Sequence, residues 1–227
     1  MEIVFVRHGQ PEWIKAGKPQ MDPALTELGR VQSDRVSERL LARGAARVWT
    51  SPALRTRQTA EPFCASAKIE PEVVDDLLEL KLPDWSDAPP EMIAETFFAA
   101  RKRPLAAWRE GLPGGENFST FEARVRDALE RQLATLGVAR RQDEPDHAVY
   151  DVPEGLGRVV VFGHGGTNSV ALTVLLGLQS VPWEWERFML HHTGIIRLKA
   201  VPVGPAHIFS VRAFNDCEHL EKQHRTA

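Results

Sequence analysis

The chain lacks several features that would each have pointed to a function class. Its 227 residues include two cysteines, Cys64 and Cys217, far apart and with no C-x-x-C pair. A disulfide scaffold and a cysteine-based zinc site are excluded on that count, and both thiols read as reduced residues of a cytoplasmic protein. Long apolar runs are missing too. The longest, within residues 169–178, falls well short of the roughly 20 residues a membrane span requires, so no membrane partner is expected. Residues 1–8 run through Ile3-Val4-Phe5-Val6 straight into Arg7-His8, with neither a basic leader nor a cleavage site. Charge of one sign is also lacking: 28 basic and 31 acidic residues leave a net charge of −3. The longest basic run is Arg101-Lys102-Arg103, too little to grip a polyanion, and no nucleic-acid partner is expected.

The composition that remains, 43% hydrophobic and 26% charged, is that of an ordinary folded domain. Short β-branched runs alternate with helical periodicities. Residues 3–6, 46–50, 73–74 and 159–162 read as strands, as do 194–198 and 207–211 near the end. Residues 26–41, 53–65, 91–108, 117–136 and the segment that follows the Gly163–Gly166 turn, to about Gly177, read as helices. Thr26 stands where an N-cap belongs. This alternation predicts a three-layer α/β/α sandwich with a mostly parallel central sheet. Residues 140–157 show no period and are rich in Pro, Gly and charge, so they read as a long excursion. No linker divides the chain, and residues 1–227 are expected to form one domain.

Three segments stand where an α/β sheet places chemistry, just beyond the carboxyl ends of strands. Arg7-His8-Gly9 follows the first strand, and Gly163-His164-Gly165-Gly166 follows the most apolar one. A lone histidine is more often structural, but two in matching contexts can converge. The Gly165-Gly166 turn opens a helix, whose free N–H groups suit an anion. The third segment, Ser51 to Ala60, sets Arg55 near a helix start, where a cation opposes the macrodipole and points to an anionic partner. Arg57 reads as a surface residue.

Together these motifs resemble the histidine phosphatase superfamily, which includes the cofactor-dependent phosphoglycerate mutases. Asp22-Pro23-Ala24-Leu25-Thr26-Glu27-Leu28-Gly29, Gly114-Gly115-Glu116-Asn117 and Asn215-Asp216 extend the resemblance over nearly the whole chain. The resemblance implies a phosphoglycerate mutase-like fold and a metal-independent phosphatase of a small phosphorylated metabolite, with no cofactor. It implies that His8 attacks phosphorus and carries a phosphohistidine. Arg7, Arg55, His164 and Gly165 would hold the phosphate and its developing charge. Glu79, in Leu77-Leu78-Glu79-Leu80, aligns with the family's acid and base, with Asp75, Asp76 and Asp84 as neighbouring competitors. A phosphoglycerate mutase and a phospho-ligand or protein-binding module without turnover are the alternative readings. No metal-ligand motif is present.

The sequence also departs from the family pattern. Where relatives carry an acidic residue, then Thr or Ser, then a phosphate-holding asparagine, this chain has Gln10, Pro11 and Ile14. The usual Gly-x-Trp-Glu-Gly after the acid reads Pro83-Asp84-Trp85-Ser86-Asp87. Substrate preference is therefore expected to sit in residues 83–113 and 140–157, the variable segments. Trp13, Lys15 and Lys18 are candidates for the pocket entrance; His147 reads as a solvated loop histidine, with a place on a lid as the alternative. His191-His192, placed on a strand, would face opposite ways and serve structure. Trp183 and Trp185 are expected to pack at a helix or an interface, and a homodimer through an edge strand or the Trp183 region is left open.

Overall fold

A computed structural model describes residues 1–144 and 146–227. In chain order the elements are β1 (Glu2–Arg7), β2 (Ile14–Lys15), β3 (Lys18–Pro19), α1 (Glu27–Leu41), β4 (Arg47–Thr50), α2 (Leu54–Ala67) and β5 (Glu72–Val73). They continue with α3 (Pro90–Arg101), α4 (Leu105–Trp108), α5 (Phe118–Ala134), β6 (Ala139–Arg140), β7 (Tyr150–Asp151), β8 (Arg158–Gly163) and α6 (Gly165–Leu176). The last are α7 (Glu184–Arg187), β9 (Ile195–Val203) and β10 (Ala206–Asp216).

Eight strands form one sheet in the order β5-β4-β8-β1-β9-β10-β7-β6, and β2 and β3 make a separate hairpin. The half from β5 to β1 is parallel. Beyond β1 the sheet is antiparallel. The expected parallel sheet is thus the part that presents its strand ends to the site, and the rest is a mixed extension.

Strand periodicity sorts the core into two layers. Along β1, Ile3 and Phe5 join a cluster with Val159, Val161 and the buried residues of α5 and α6. Val4 and Val6 point the other way, to Val36 and Leu40 of α1 and Ala60 and Phe63 of α2. Each buried Phe or Leu is worth roughly 1.5–3 kcal/mol against exposure, so the two faces clamp the sheet between helix layers. α6 is buried from Gly166 to Leu175, as an all-round apolar helix must be. Helix starts follow local chemistry: Thr26 accepts the Gly29 N–H for α1 and Asn117 the Thr120 N–H for α5.

Two sequence expectations change. Residues 91–108 form two helices, α3 and α4, because Pro104 has no N–H and bars its predecessor from helical geometry. Residues 140–157 are not a bare loop: β7 pairs with β10, and β6 pairs with β7 at the sheet's far edge. There Tyr150 is buried, its ring 5.0 Å from Phe209. Pro145, within that stretch, lies outside the described residues. Among the described residues, no helix is long and apolar enough to cross a membrane.

Candidate active site

Register brings the two histidines together. β1 and β8 run parallel with Arg7 opposite Gly163, so the next residue of each strand, His8 and His164, emerges side by side. The ladder extends one step further, with His8 N–H donating to the Gly163 carbonyl at 2.9 Å. The ring centroids are 5.3 Å apart, edge to face. β4 lies on the other side of β8, so Ser51 leaves the sheet beside His164, and Arg55 follows on the first turn of α2. Arg7, His8, Ser51, Arg55 and His164 thus come from three adjacent parallel strand ends.

Backbone close approach holds this corner. A Cβ on Gly29 would stand 2.2 Å from the Gln10 carbonyl oxygen, and one on Gly9 2.6 Å from the Gly29 carbonyl oxygen. Only glycine fits either place, so the start of α1 presses directly on the loop after His8. Thr59 accepts the Gly9 N–H at 2.9 Å, and Gln32 accepts the Gln10 N–H at 2.8 Å. Thr193 takes a left-handed φ of 56°, strained for a β-branched residue. Its N–H donates to the Arg7 carbonyl at 3.0 Å.

Hydrogen bonds assign the tautomers. His8 Nδ1 lies 2.8 Å from the Gly9 carbonyl oxygen. A carbonyl only accepts, so Nδ1 carries the proton and Nε2 keeps its lone pair. His164 is the reverse. Arg55 Nη2, a donor only, sits 3.1 Å from His164 Nδ1, so the His164 proton is on Nε2, 2.8 Å from Ser51 Oγ. Burial first, then the charges of His164, Arg55 and Arg7, hold the His8 imidazole well below its usual value. Burial, Arg55 and Arg7 do the same for His164. Both rings are therefore neutral near pH 7.

The arginines are held but incompletely used. Arg7 donates from Nη1 to the Leu190 carbonyl. Arg55 pairs with Asp22 at 3.6 Å, and the Trp13 ring centroid lies 5.1 Å from its guanidinium carbon. Asp22 also accepts the Leu54 N–H at 2.9 Å, satisfying the start of α2. Burial lowers both guanidinium pKa values, with Glu79 opposing, yet arginine stays charged. The Nε–H groups of Arg7 and Arg55 are buried without a hydrogen-bond partner among the described residues. Orphan cationic donors of this kind need an acceptor.

Glu79 occupies the N-terminus of α6. Its carboxylate accepts the Gly166 N–H at 2.8 Å and the Thr167 N–H at 3.2 Å, as helix dipole and orphan donors favour. A Cβ on Gly166 would meet Glu79 Oε1 at 2.5 Å, so any other residue there would displace the carboxylate. This corrects part of the sequence reading: two N–H groups of that turn serve Glu79, leaving Gly165 to face the cavity. Of the competing carboxylates, Asp76 pairs with Arg131 and Asp84 accepts the Ser86 N–H. None of Asp75, Asp76 and Asp84 lines the cleft, whereas Glu79 does.

The cleft consists of two adjoining cavities, about 500 Å³ and about 830 Å³, that share Trp13, Arg55, Phe97 and the run from Glu79 to Leu82. Residues 80–112 wall much of it, in keeping with the role expected for 83–113. The described residues of 140–157 line neither cavity, so the part in substrate preference expected for them is corrected, and His147 is exposed beside Glu144, a solvated loop residue. Trp13 is at the entrance, but Lys15 pairs with Glu12 outside it, and Lys18 does not line it. Ile14 is 43% exposed and lines the larger cavity, so no polar group at that position contacts phosphate. Trp185 lines the smaller cavity, while Trp183 packs edge to face on Trp108 at 6.2 Å.

One neighbour of His8 escaped the sequence reading. His191 and His192 occupy a turn and do diverge: His191 meets Asn215 at 2.8 Å, but the His192 ring lies 5.6 Å from that of His8. His192 is pushed down to about 3 by burial, Arg7 and His191. Only the return of β9 beside β1 brings it there, so no local signal could have marked it.

Strand-end histidines backed by buried arginines define a phosphate-handling class of α/β enzyme. The family model of the histidine phosphatase superfamily, branch 1, matches residues 3–208, and the chain belongs to that superfamily, a family of phosphoric monoester hydrolases. Sedoheptulose 1,7-bisphosphatase of Saccharomyces cerevisiae is 28% identical over 197 residues, 77% of this chain and 67% of that protein. A probable phosphoglycerate mutase of Serratia proteamaculans is 28% identical over 203 residues, 87% of this chain and 84% of its own length. A solved mycobacterial glucosyl-3-phosphoglycerate phosphatase superposes with a TM-score of 0.68 at 25% identity, covering 94% of this chain and 98% of its own.

Proposed function

We propose that the chain hydrolyses a small phosphomonoester without a metal ion, through a phosphohistidine on His8. The observation that carries this is the pair of buried, partnerless Nε–H donors of Arg7 and Arg55 beside a neutral His8 whose Nε2 lone pair is free. Phosphoryl transfer asks a protein mainly to position and to stabilise equatorial charge. Arg7, Arg55, His164 and Gly165 surround the phosphate, and His8 Nε2 attacks in line as the bond to the leaving oxygen breaks. Glu79 gives its proton to that oxygen. It then takes one from the water that attacks the phosphohistidine, and the P–N bond breaks to return neutral His8 and inorganic phosphate. The free, buried thiols of Cys64 and Cys217 support a reduced, cytoplasmic setting. We read residues 1–227 as one domain, since both hydrophobic clusters back a single sheet.

The test is phosphate release from an aryl phosphate in the presence of a chelator, with His8→Ala alongside. Metal-free release lost in the variant, with an acid-labile phosphoprotein trapped on the wild type, is the expected result. No release and no phosphoprotein would overturn the reading in favour of a phospho-ligand-binding module. Conversion of 3-phosphoglycerate to 2-phosphoglycerate, dependent on a bisphosphate primer, would replace it with a mutase.

A further inference from the structure

We infer that the cleft selects phosphomonoesters whose leaving group is flat and apolar, an aryl or arylalkyl alcohol, over phosphates that carry a second anionic group. The inference rests on the phosphatase reading and adds the substrate class to it.

Space comes first. The phosphate-binding groups Arg7, His8 and Gly165 line the smaller cavity, while the larger, about 830 Å³, opens from Arg55 and Glu79. A phosphate occupies little of that volume. Glu79 lines both, and it is the group that protonates the leaving oxygen, so the leaving group enters the larger cavity.

The walls of that cavity are apolar. Trp13 covers Arg55, and Leu80, Leu82 and Ile93 continue the wall to Phe97 and Trp85, which meet edge to face at 5.3 Å. Trp13 is 47% exposed and Phe97 43%. Large apolar side chains left wet around a concave site mark a ligand surface. α3, which carries Ile93 and Phe97, buries no residue, so these side chains are spent on the cavity and not on a core. The surface offers aromatic edges and faces to a ring.

Charge gives a second anion little to hold. In the larger cavity Arg55 is paired with Asp22 at 3.6 Å, and among the residues lining that cavity Lys81 is the one cation beyond the first phosphate's own arginine. In the smaller one, Arg101 is paired with Glu186 at 2.9 Å, and Arg103 donates to the Gly111 carbonyl at 2.7 Å. A carboxylate or second phosphate in the larger cavity would meet Lys81 alone, with the Asp22 carboxylate opposing it.

Calorimetric binding of benzylphosphonate and of phosphonoacetate compares the two leaving-group classes on one headgroup, without turnover. Benzylphosphonate is expected to bind wild type about tenfold more tightly, the worth of burying one ring. Phe97→Ala and Trp13→Ala, both at exposed positions, should each erode that preference about threefold or more while inorganic phosphate still binds to Phe97→Ala as to wild type. Equal or tighter binding of phosphonoacetate, or a preference unchanged in both variants, overturns the inference. Turnover of benzyl phosphate against 3-phosphoglycerate is measured in parallel. Preferential binding of benzylphosphonate with no hydrolysis of either ester supports the selectivity and overturns the hydrolytic reading alone.

Discussion

The corner after β1 and the arm at residues 80–112 both face the same cleft, yet they are built on opposite terms. In the corner every group is fixed: His8 and His164 are buried, each ring is oriented by a named partner, and two glycines allow backbone to press on backbone. In the arm, α3 buries nothing, and Phe97 and Phe98 are 43% and 64% exposed. Chemistry that needs sub-ångström placement sits where packing over-determines it. Contacts that select a leaving group sit where a side chain can change without unsettling a core.

The sharpest way to break that comparison is at the nucleophile. His8→Ala should lower phosphate release by at least about 10³, as loss of a covalent nucleophile does, measured as kcat with unchanged far-UV circular dichroism. A residual rate near wild type would place the nucleophile elsewhere. Next comes Arg55→Lys, which keeps the charge but loses the fork that reaches both His164 and an anion. A fall of about 10²–10³ in kcat/KM is expected.

Acid should unfold the corner before the arm. His8, His164, His192 and His219 all have folded pKa values below the unfolded 6.5, burial being the first cause, with His192 at about 3 and His219 at about 4. Below pH 6.5 the unfolded chain binds protons that the folded one refuses, so stability falls as pH drops from 6.5 toward 3. The total loss is on the order of 10 kcal/mol, read as denaturation midpoints across that window. For the same reason kcat/KM, corrected for the substrate's own second ionisation near about pH 6, should show no enzyme limb at pH 6.5.

The packing contrast has its own pair of tests. Gly29→Ala drives a Cβ into the Gln10 carbonyl and should cost about 1–3 kcal/mol. Phe98→Ala, on the exposed side of α3 beside Lys102, should stay within about 0.5 kcal/mol. Equal costs would mean that the arm is as tightly specified as the corner.

The legibility of the sequence follows the same divide. Arg7-His8-Gly9 and Gly163-His164-Gly165-Gly166 could be read because each lies within a few residues of the apolar strand that places it. Arg55 was legible as a misplaced cation at a helix start, and Glu79 through family resemblance. Pro104, which divides α3 from α4, is a local signal that the helical period of residues 91–108 masks. The bare excursion expected at residues 140–157 did not hold, because strand pairing of Tyr150 with β10 carries that stretch to the far edge of the sheet, a non-local choice that composition does not record.

The sequence by itself determined the alternation of strands and helices, the capping of α1, and which residue types stand at the strand ends. Those follow from periodicity and local chemistry, which act over a few residues. Tertiary structure alone decided that His192 stands beside His8, that Glu79 takes the N–H groups of α6, and that Trp13 and Phe97 wall one cavity. Each of these joins segments from 84 to 184 residues apart in number, from Trp13 to Phe97 at the least and from His8 to His192 at the most. Only the order of strands in the sheet and the packing of helices on its faces bring them together.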